Sequence, residues 1–68
     1  MALSARNHLK GIVGEVQMGD VLAYITLHTG ESVIESVITR RSAEELGLKK
    51  GDSVTALVKA TEVMISKP

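Results

Sequence analysis

Val21-Leu22-Ala23-Tyr24-Ile25-Thr26-Leu27-His28-Thr29, Gly30-Glu31, then Ser32-Val33-Ile34-Glu35-Ser36-Val37-Ile38-Thr39 is the stretch that decides the fold. Side chains alternate between the two faces of a strand. Val21, Ala23, Ile25 and Leu27 therefore share one face, and Leu22, Tyr24, Thr26 and His28 share the other. After the turn signal Thr29-Gly30-Glu31, Val33, Val37 and Thr39 fall on one face and Ile34 and Ile38 on the opposite one. Two β-rich runs joined by a short glycine turn predict an antiparallel hairpin.

Outward from this hairpin, residues 9–18 carry Ile12, Val13 and Val16, interrupted by Gly11 and Gly14. Glycines inside a strand mark a bulge, a bend or a close backbone approach. Gly19-Asp20 is the turn that follows. On the other side, Ser42-Ala43-Glu44-Glu45 reads as a capping box, with Ser42 as N-cap and Gly47 as C-cap candidate of a helix of one to two turns. Lys49-Lys50-Gly51-Asp52 is a further turn. Residues 53–60 read as a strand with Val54, Ala56 and Val58 on one face and Leu57 on the other. Residues 62–66 read as a last short strand carrying Val63, Met64 and Ile65. Three strands, a short helix and two more strands predict an all-β domain with one short helix, an OB-like five-stranded β-barrel.

The whole chain of 68 residues is one domain on this reading. It holds no apolar run of about 20 residues for a transmembrane helix and no secretory signal over residues 1–10. With no Cys there is no disulfide or Cys-type zinc site, and the expected compartment is the cytoplasm. Eight basic and eight acidic side chains give zero net charge, which opposes bulk binding to nucleic acid or an anionic membrane. A chain this short, with Tyr24 as its one aromatic, buries little core. Several strands are apolar on both faces, so a homo-oligomer is expected, with the second face meeting another subunit. Residues 1–3 and 67–68 are expected to be loose unless a neighbour holds them.

Catalytic equipment is sparse. There is no Cys nucleophile, and His8 and His28 lack the spacing of a helical metal pair. Gly11 and Gly14 do not form a phosphate loop. Glu44 and Glu45 read as charges favoured at a helix start. The chain is not expected to be an enzyme, and no direct cation ligands are expected. Hydroxyl and basic side chains instead recur in three clusters: Ser4-Ala5-Arg6-Asn7, Thr39-Arg40-Arg41-Ser42 and Lys59-Ala60-Thr61. Arg6 offers a planar fork of donors and Lys59 a point charge. Ser4, Thr39, Ser42 and Thr61 add neutral donors, and backbone N–H groups add more. Such a set suits a tetrahedral dianion. Lys59 and Thr61 are read as sharing one strand face. Glu44 and Glu45 would oppose an anion on the helix axis, so the site would lie nearer Thr39 and Ser42.

Ser4-Ala5-Arg6-Asn7 before Gly11, Thr39-x-x-Ser42 leading into Ala43-Glu44-Glu45-Leu46-Gly47, and the run from Val54 through Lys59-Ala60-Thr61 to Met64 resemble the molbindins. These are the small molybdenum-binding (Mop) proteins of bacteria and archaea, and the resemblance spans nearly the whole chain. It implies an OB-like barrel assembled as a hexamer, a trimer of dimers. It also implies molybdate or tungstate held non-covalently between subunits, with no organic cofactor. The implied ligands are Ser4, Arg6, Thr39, Ser42, Lys59, Ala60 through its N–H, and Thr61, with Ala5 and Asn7 as further candidates. The implied role is intracellular storage, buffering or homeostasis of the oxyanion.

A competing reading starts from Leu46-Gly47-Leu48-Lys49-Lys50-Gly51-Asp52, which resembles a segment of the swapped-hairpin AbrB-type transcription factors. It implies a small DNA-binding dimer using Arg6, Lys10, Arg40 and Arg41. Single-strand binding by an OB-fold would need aromatic stacking platforms and a basic groove, which this composition lacks.

Overall fold

The computed structural model describes residues 4–68, so the expectation about residues 1–3 lies outside the described residues. Four strands form one antiparallel sheet in the order β3-β2-β1-β4. They are β1 (Asn7–Met18), β2 (Leu22–Thr29), β3 (Ser32–Thr39) and β4 (Ser53–Val58). The helix α1 (Arg40–Leu46) lies between β3 and β4, and a short 3₁₀ turn covers Ala60–Glu62.

The predicted hairpin is β2–β3, with Thr29 paired to Ser32 across Gly30-Glu31. Gly30 has φ 63°, while among the described residues no non-glycine has positive φ. A glycine of positive φ at the first central position is the type II′ pattern, whose twist suits a two-residue hairpin.

β1 is the long strand that curves the sheet. Its first half pairs with β4, from Asn7 opposite Val58 to Ile12 opposite Ser53. Its second half pairs with β2, from Ile12 opposite His28 to Met18 opposite Ala23, with a register break between Val13 and Glu15. Gly14 sits in that break, as the glycine pattern predicted for a bulge.

The inner face carries the core: Val13, Ala23, Ile25, Leu27 and Ala43 are buried, with Val16, Ile34, Ile38, Leu48, Val54 and Ala56 packed against them. The alternation in β2 is confirmed from Ala23 onward, with the buried Ile25 and Leu27 side chains each contributing about 1.5–3 kcal/mol. Val21 departs from it and is exposed, because β2 begins only at Leu22.

Two local expectations are corrected. The helix N-cap is Thr39, not Ser42: Thr39 is extended (φ −70°, ψ 149°) and its side chain accepts the Ser42 N–H. The Arg40 N–H donates to the Val21 carbonyl at 2.8 Å, so the backbone turns into the helix directly where β3 ends. Gly47 is the C-cap as expected, in the left-handed region at φ 61°. The second correction concerns residues 59–66. The Glu62 N–H donates to the Lys59 carbonyl and the Val63 N–H to the Ala60 carbonyl. This turn ends β4 at Val58, so Lys59 and Thr61 do not share a strand face. Residues 63–68 join no strand of the protomer, and the four described strands stand where five were expected.

The architecture is the OB-like one, mostly β with one short helix, but with a gap in its wall. β3 and β4 are the two edges of the sheet. Between them runs a mainly apolar groove of about 710 Å³, lined by Val13, Ile25, Leu27, Ile34, Ile38, Leu46, Leu48, Val54 and Ala56, with Glu35 and Asp52 as its carboxylates. The radius of gyration is 12.8 Å, against roughly 11 Å for a compact chain of this length. The protomer exposes 5691 Å², where a compact monomer would expose roughly 4,200 Å². No helix among the described residues is long and apolar enough to cross a membrane.

Candidate oxyanion site

The first and third donor clusters lie side by side. Asn7 opposite Val58 is the last pair of the β1–β4 ladder. Arg6 and Lys59 are the next residues beyond it on the β1 and β4 sides, both exposed. Ala60 and Thr61 follow in the 3₁₀ turn and are exposed too. On the other strand, Asn7 opens β1 half-buried, and exposed Ser4 precedes it in a bend. The His8 ring donates through Nε2 to the Ala5 carbonyl at 3.0 Å, folding this segment back on itself. Neither Arg6 nor Lys59 takes part in the ion pairs formed among the described residues.

The second cluster lies elsewhere. Thr39 pairs with Leu22, beside the Met18–Ala23 end of the β1–β2 ladder. Asn7 and Met18 are opposite ends of a 12-residue strand, up to about 36 Å apart if it were straight. One protomer thus presents two separate half-sets: Ser4, Arg6, Lys59, Ala60 and Thr61 at one end of β1, and Thr39 with Ser42 at the other. Neither half-set lines the apolar groove.

Thr39 and Ser42 are hydrogen-bonded to each other. The Ser42 N–H donates to Thr39 Oγ1 at 3.0 Å, and Thr39 Oγ1 donates to Ser42 Oγ at 2.9 Å. The Ser42 hydroxyl proton is thereby left to donate outward.

The two glutamates expected to oppose an anion are paired. Arg40 Nε lies 3.7 Å from Glu44 Oε1 and Arg41 Nε 3.1 Å from Glu45 Oε1. Such exposed pairs add only about 0.3–0.5 kcal/mol each, but they cancel charge locally on the helix flank. The same pairing engages Arg40 and Arg41, two of the four cations that the DNA-binding reading named. Arg40 also donates to the Gly19 carbonyl at 3.3 Å. No spacing rule joins residues 19 and 40, so this contact was not legible in the sequence. Among the described residues no group of three or more His, Asp or Glu side chains forms a metal cluster.

Residues 3–65 match the TOBE domain family. Molybdenum-pterin-binding protein 2 of Clostridium pasteurianum is 48% identical over 66 residues, covering 96% of this chain and 97% of that protein. The structure of a molybdate-binding protein from Sporomusa ovata superposes with a TM-score of 0.94 at 42% identity, covering 98% of this chain and 100% of the other. The structure of the cytoplasmic molybdate-binding protein ModG, with molybdate bound, matches with a TM-score of 0.82 at 43% identity, covering 88% of this chain and 43% of that one. The expected family is therefore confirmed from end to end: the chain belongs to the TOBE domain family and, within it, to the molbindins.

Proposed function

We propose that this protein binds molybdate non-covalently, with tungstate as a chemical analogue, and serves cytoplasmic storage, buffering or homeostasis of the oxyanion. The carrying observation is the full-length match, in sequence and in fold, to a molybdate-binding protein of the same size. A binding role fits a chain whose donors are hydroxyls, amides and two unpaired cations, with no organic cofactor and no catalytic step.

The proposed ligands are Ser4, Arg6, Lys59, the Ala60 N–H and Thr61 from one end of a protomer. Thr39 and Ser42 come from the opposite end of a second copy, and Ala5 and Asn7 shape the first loop. The separation of the half-sets along β1 favours sites shared between subunits over a site within one.

The proposed assembly is a homo-oligomer, a hexamer built as a trimer of dimers. Its support is the surface the protomer leaves open. Unpaired strand edges rarely stay bare, and β3 and β4 flank an apolar groove. Val63, Met64 and Ile65 of the same chain are exposed, at 47%, 93% and 88%. An apolar, extended segment of one copy fits the edge-lined groove of another. Anion binding between copies would then be linked to assembly.

Equilibrium dialysis against molybdate with sulfate as competitor is the deciding experiment. Saturable molybdate binding that excess sulfate displaces poorly is expected. No retained molybdate, or retention lost equally to sulfate, would overturn the reading.

A further inference from the structure

We infer that Arg40 is a positioning residue for the Thr39–Ser42 half-set, acting from behind the site and not as a ligand of the anion. The inference rests on the functional reading above. Arg40's backbone N–H donates to the Val21 carbonyl at 2.8 Å, as any residue's here would, and two contacts of its side chain carry the inference. Its guanidinium donates to the Gly19 carbonyl at 3.3 Å, and its Nε lies 3.7 Å from Glu44. Gly19 is itself held in the β1–β2 turn, where its N–H donates to the Leu22 carbonyl at 2.8 Å. Arg40 therefore ties the start of α1 to that turn.

Thr39 and Ser42 flank this tie on either side in sequence, and their mutual geometry depends on where the first helical turn begins. α1 is only seven residues long, too short to hold its own start in place by helix propagation. Arg41, the neighbouring cation, has no such tie: its partner is Glu45, and its side chain is 88% exposed. The two arginines are adjacent in sequence and alike in charge, but only Arg40 crosses to another element.

The test compares Arg40→Ala, Arg40→Lys, Arg41→Ala and the double variant Arg40→Ala with Glu44→Gln, each in the assembled protein. Molybdate affinity is measured at low and high salt, and Ser42 amide hydrogen exchange is measured without anion. Arg40→Ala is expected to weaken binding roughly three- to tenfold, the scale of one lost hydrogen bond, and to speed Ser42 exchange. Lys at this position, which still reaches a carbonyl, is expected to regain most of the loss. Arg41→Ala is expected to stay within about twofold of the parent protein. The Arg40 loss is expected to persist at high salt, where steering by a surface charge fades.

Equal losses in Arg40→Ala and Arg41→Ala that vanish at high salt would overturn the inference in favour of charge steering. Recovery in the double variant would trace the loss to an unmasked Glu44 carboxylate and would overturn it too. Parent-like affinity and exchange in Arg40→Ala would do the same. If the parent protein binds no molybdate, the functional reading fails. The exchange measurement then still decides whether Arg40 fixes the helix start.

Discussion

Thr39 Oγ1 accepts the Ser42 N–H at 3.0 Å and donates to the Ser42 hydroxyl at 2.9 Å. One threonine thus caps the helix and orients the serine proposed to meet the anion. Stability and binding converge on the same oxygen atom. Thr39→Val keeps the shape and deletes that oxygen. It is expected to lower unfolding free energy by about 1 kcal/mol per protomer, as lost N-caps do, and to weaken molybdate binding as well. Ser42→Ala keeps the backbone N–H and the cap, so affinity should fall with a smaller loss of stability. Chemical denaturation and calorimetric titration of both variants separate the two effects.

Arg6 and Lys59 lie just beyond the last pair of the β1–β4 ladder and bear no core contacts. Arg6→Ala and Lys59→Ala should leave the circular dichroism spectrum unchanged. Each should weaken molybdate binding by about ten- to a hundredfold, the scale of a lost charge-assisted bond. Parent-like affinity in both would remove these residues from the site.

A ligand that binds the native assembly alone stabilises it by mass action. At a free molybdate concentration a hundred times Kd the gain is about 2.7 kcal/mol per site. Differential scanning calorimetry should therefore show a melting temperature that climbs with molybdate concentration. A transition that stays put at saturation would argue against molybdate binding by the native protein.

If residues 63–68 of one copy occupy the groove of another, a charge there should break the assembly. Ile65→Asp is expected to lower the mass measured by sedimentation, since a carboxylate would have to be desolvated against Ile34, Val54 and Ala56. An unchanged mass would leave the groove to some other occupant.

Gly11 and Gly14 test the curvature of β1. A Cβ on Gly11 would come 2.7 Å from the His28 carbonyl oxygen, which is backbone. A Cβ on Gly14 would meet the His28 imidazole, which can swing away. Gly11→Ala is therefore expected to destabilise the fold by roughly 1–3 kcal/mol, the usual cost of overpacking. Gly14→Ala should cost less, and His28→Ala should relieve it. Equal losses in denaturant titrations would show that the backbone bend at Gly14, and not the ring, is what forbids a side chain.

Much of the fold is written locally. The alternation in residues 22–39, the glycine turn at Gly30 and the cap at Gly47 each follow from neighbours a few residues apart. Local rules failed where a distant bond intervened. Ser42 looked like the N-cap because Glu45 completes a capping box, yet the Val21 carbonyl captures the Arg40 N–H and starts the helix three residues earlier. Residues 62–66 looked like a strand because Val63, Met64 and Ile65 favour one. A strand needs a partner edge, however, and within the protomer this segment pairs with neither free edge, β3 nor β4.

The donor clusters show the same division. Their residue types were legible, since hydroxyls, amides and two cations are what a dianion requires. Their arrangement was not. Spacing along the chain does not reveal that Arg6 and Lys59 are neighbours while Thr39 lies at the far end of β1. The sequence determined the strands, the turns and the chemistry of the donors, because these depend on short-range backbone preference and side-chain type. The tertiary structure alone decided which donors share an end of the molecule, that Arg40 ties the helix to the β1–β2 turn, and that the sheet stays open. Those outcomes depend on pairing between segments far apart in the chain, where the register of β1 against β2 and β4 sets every distance.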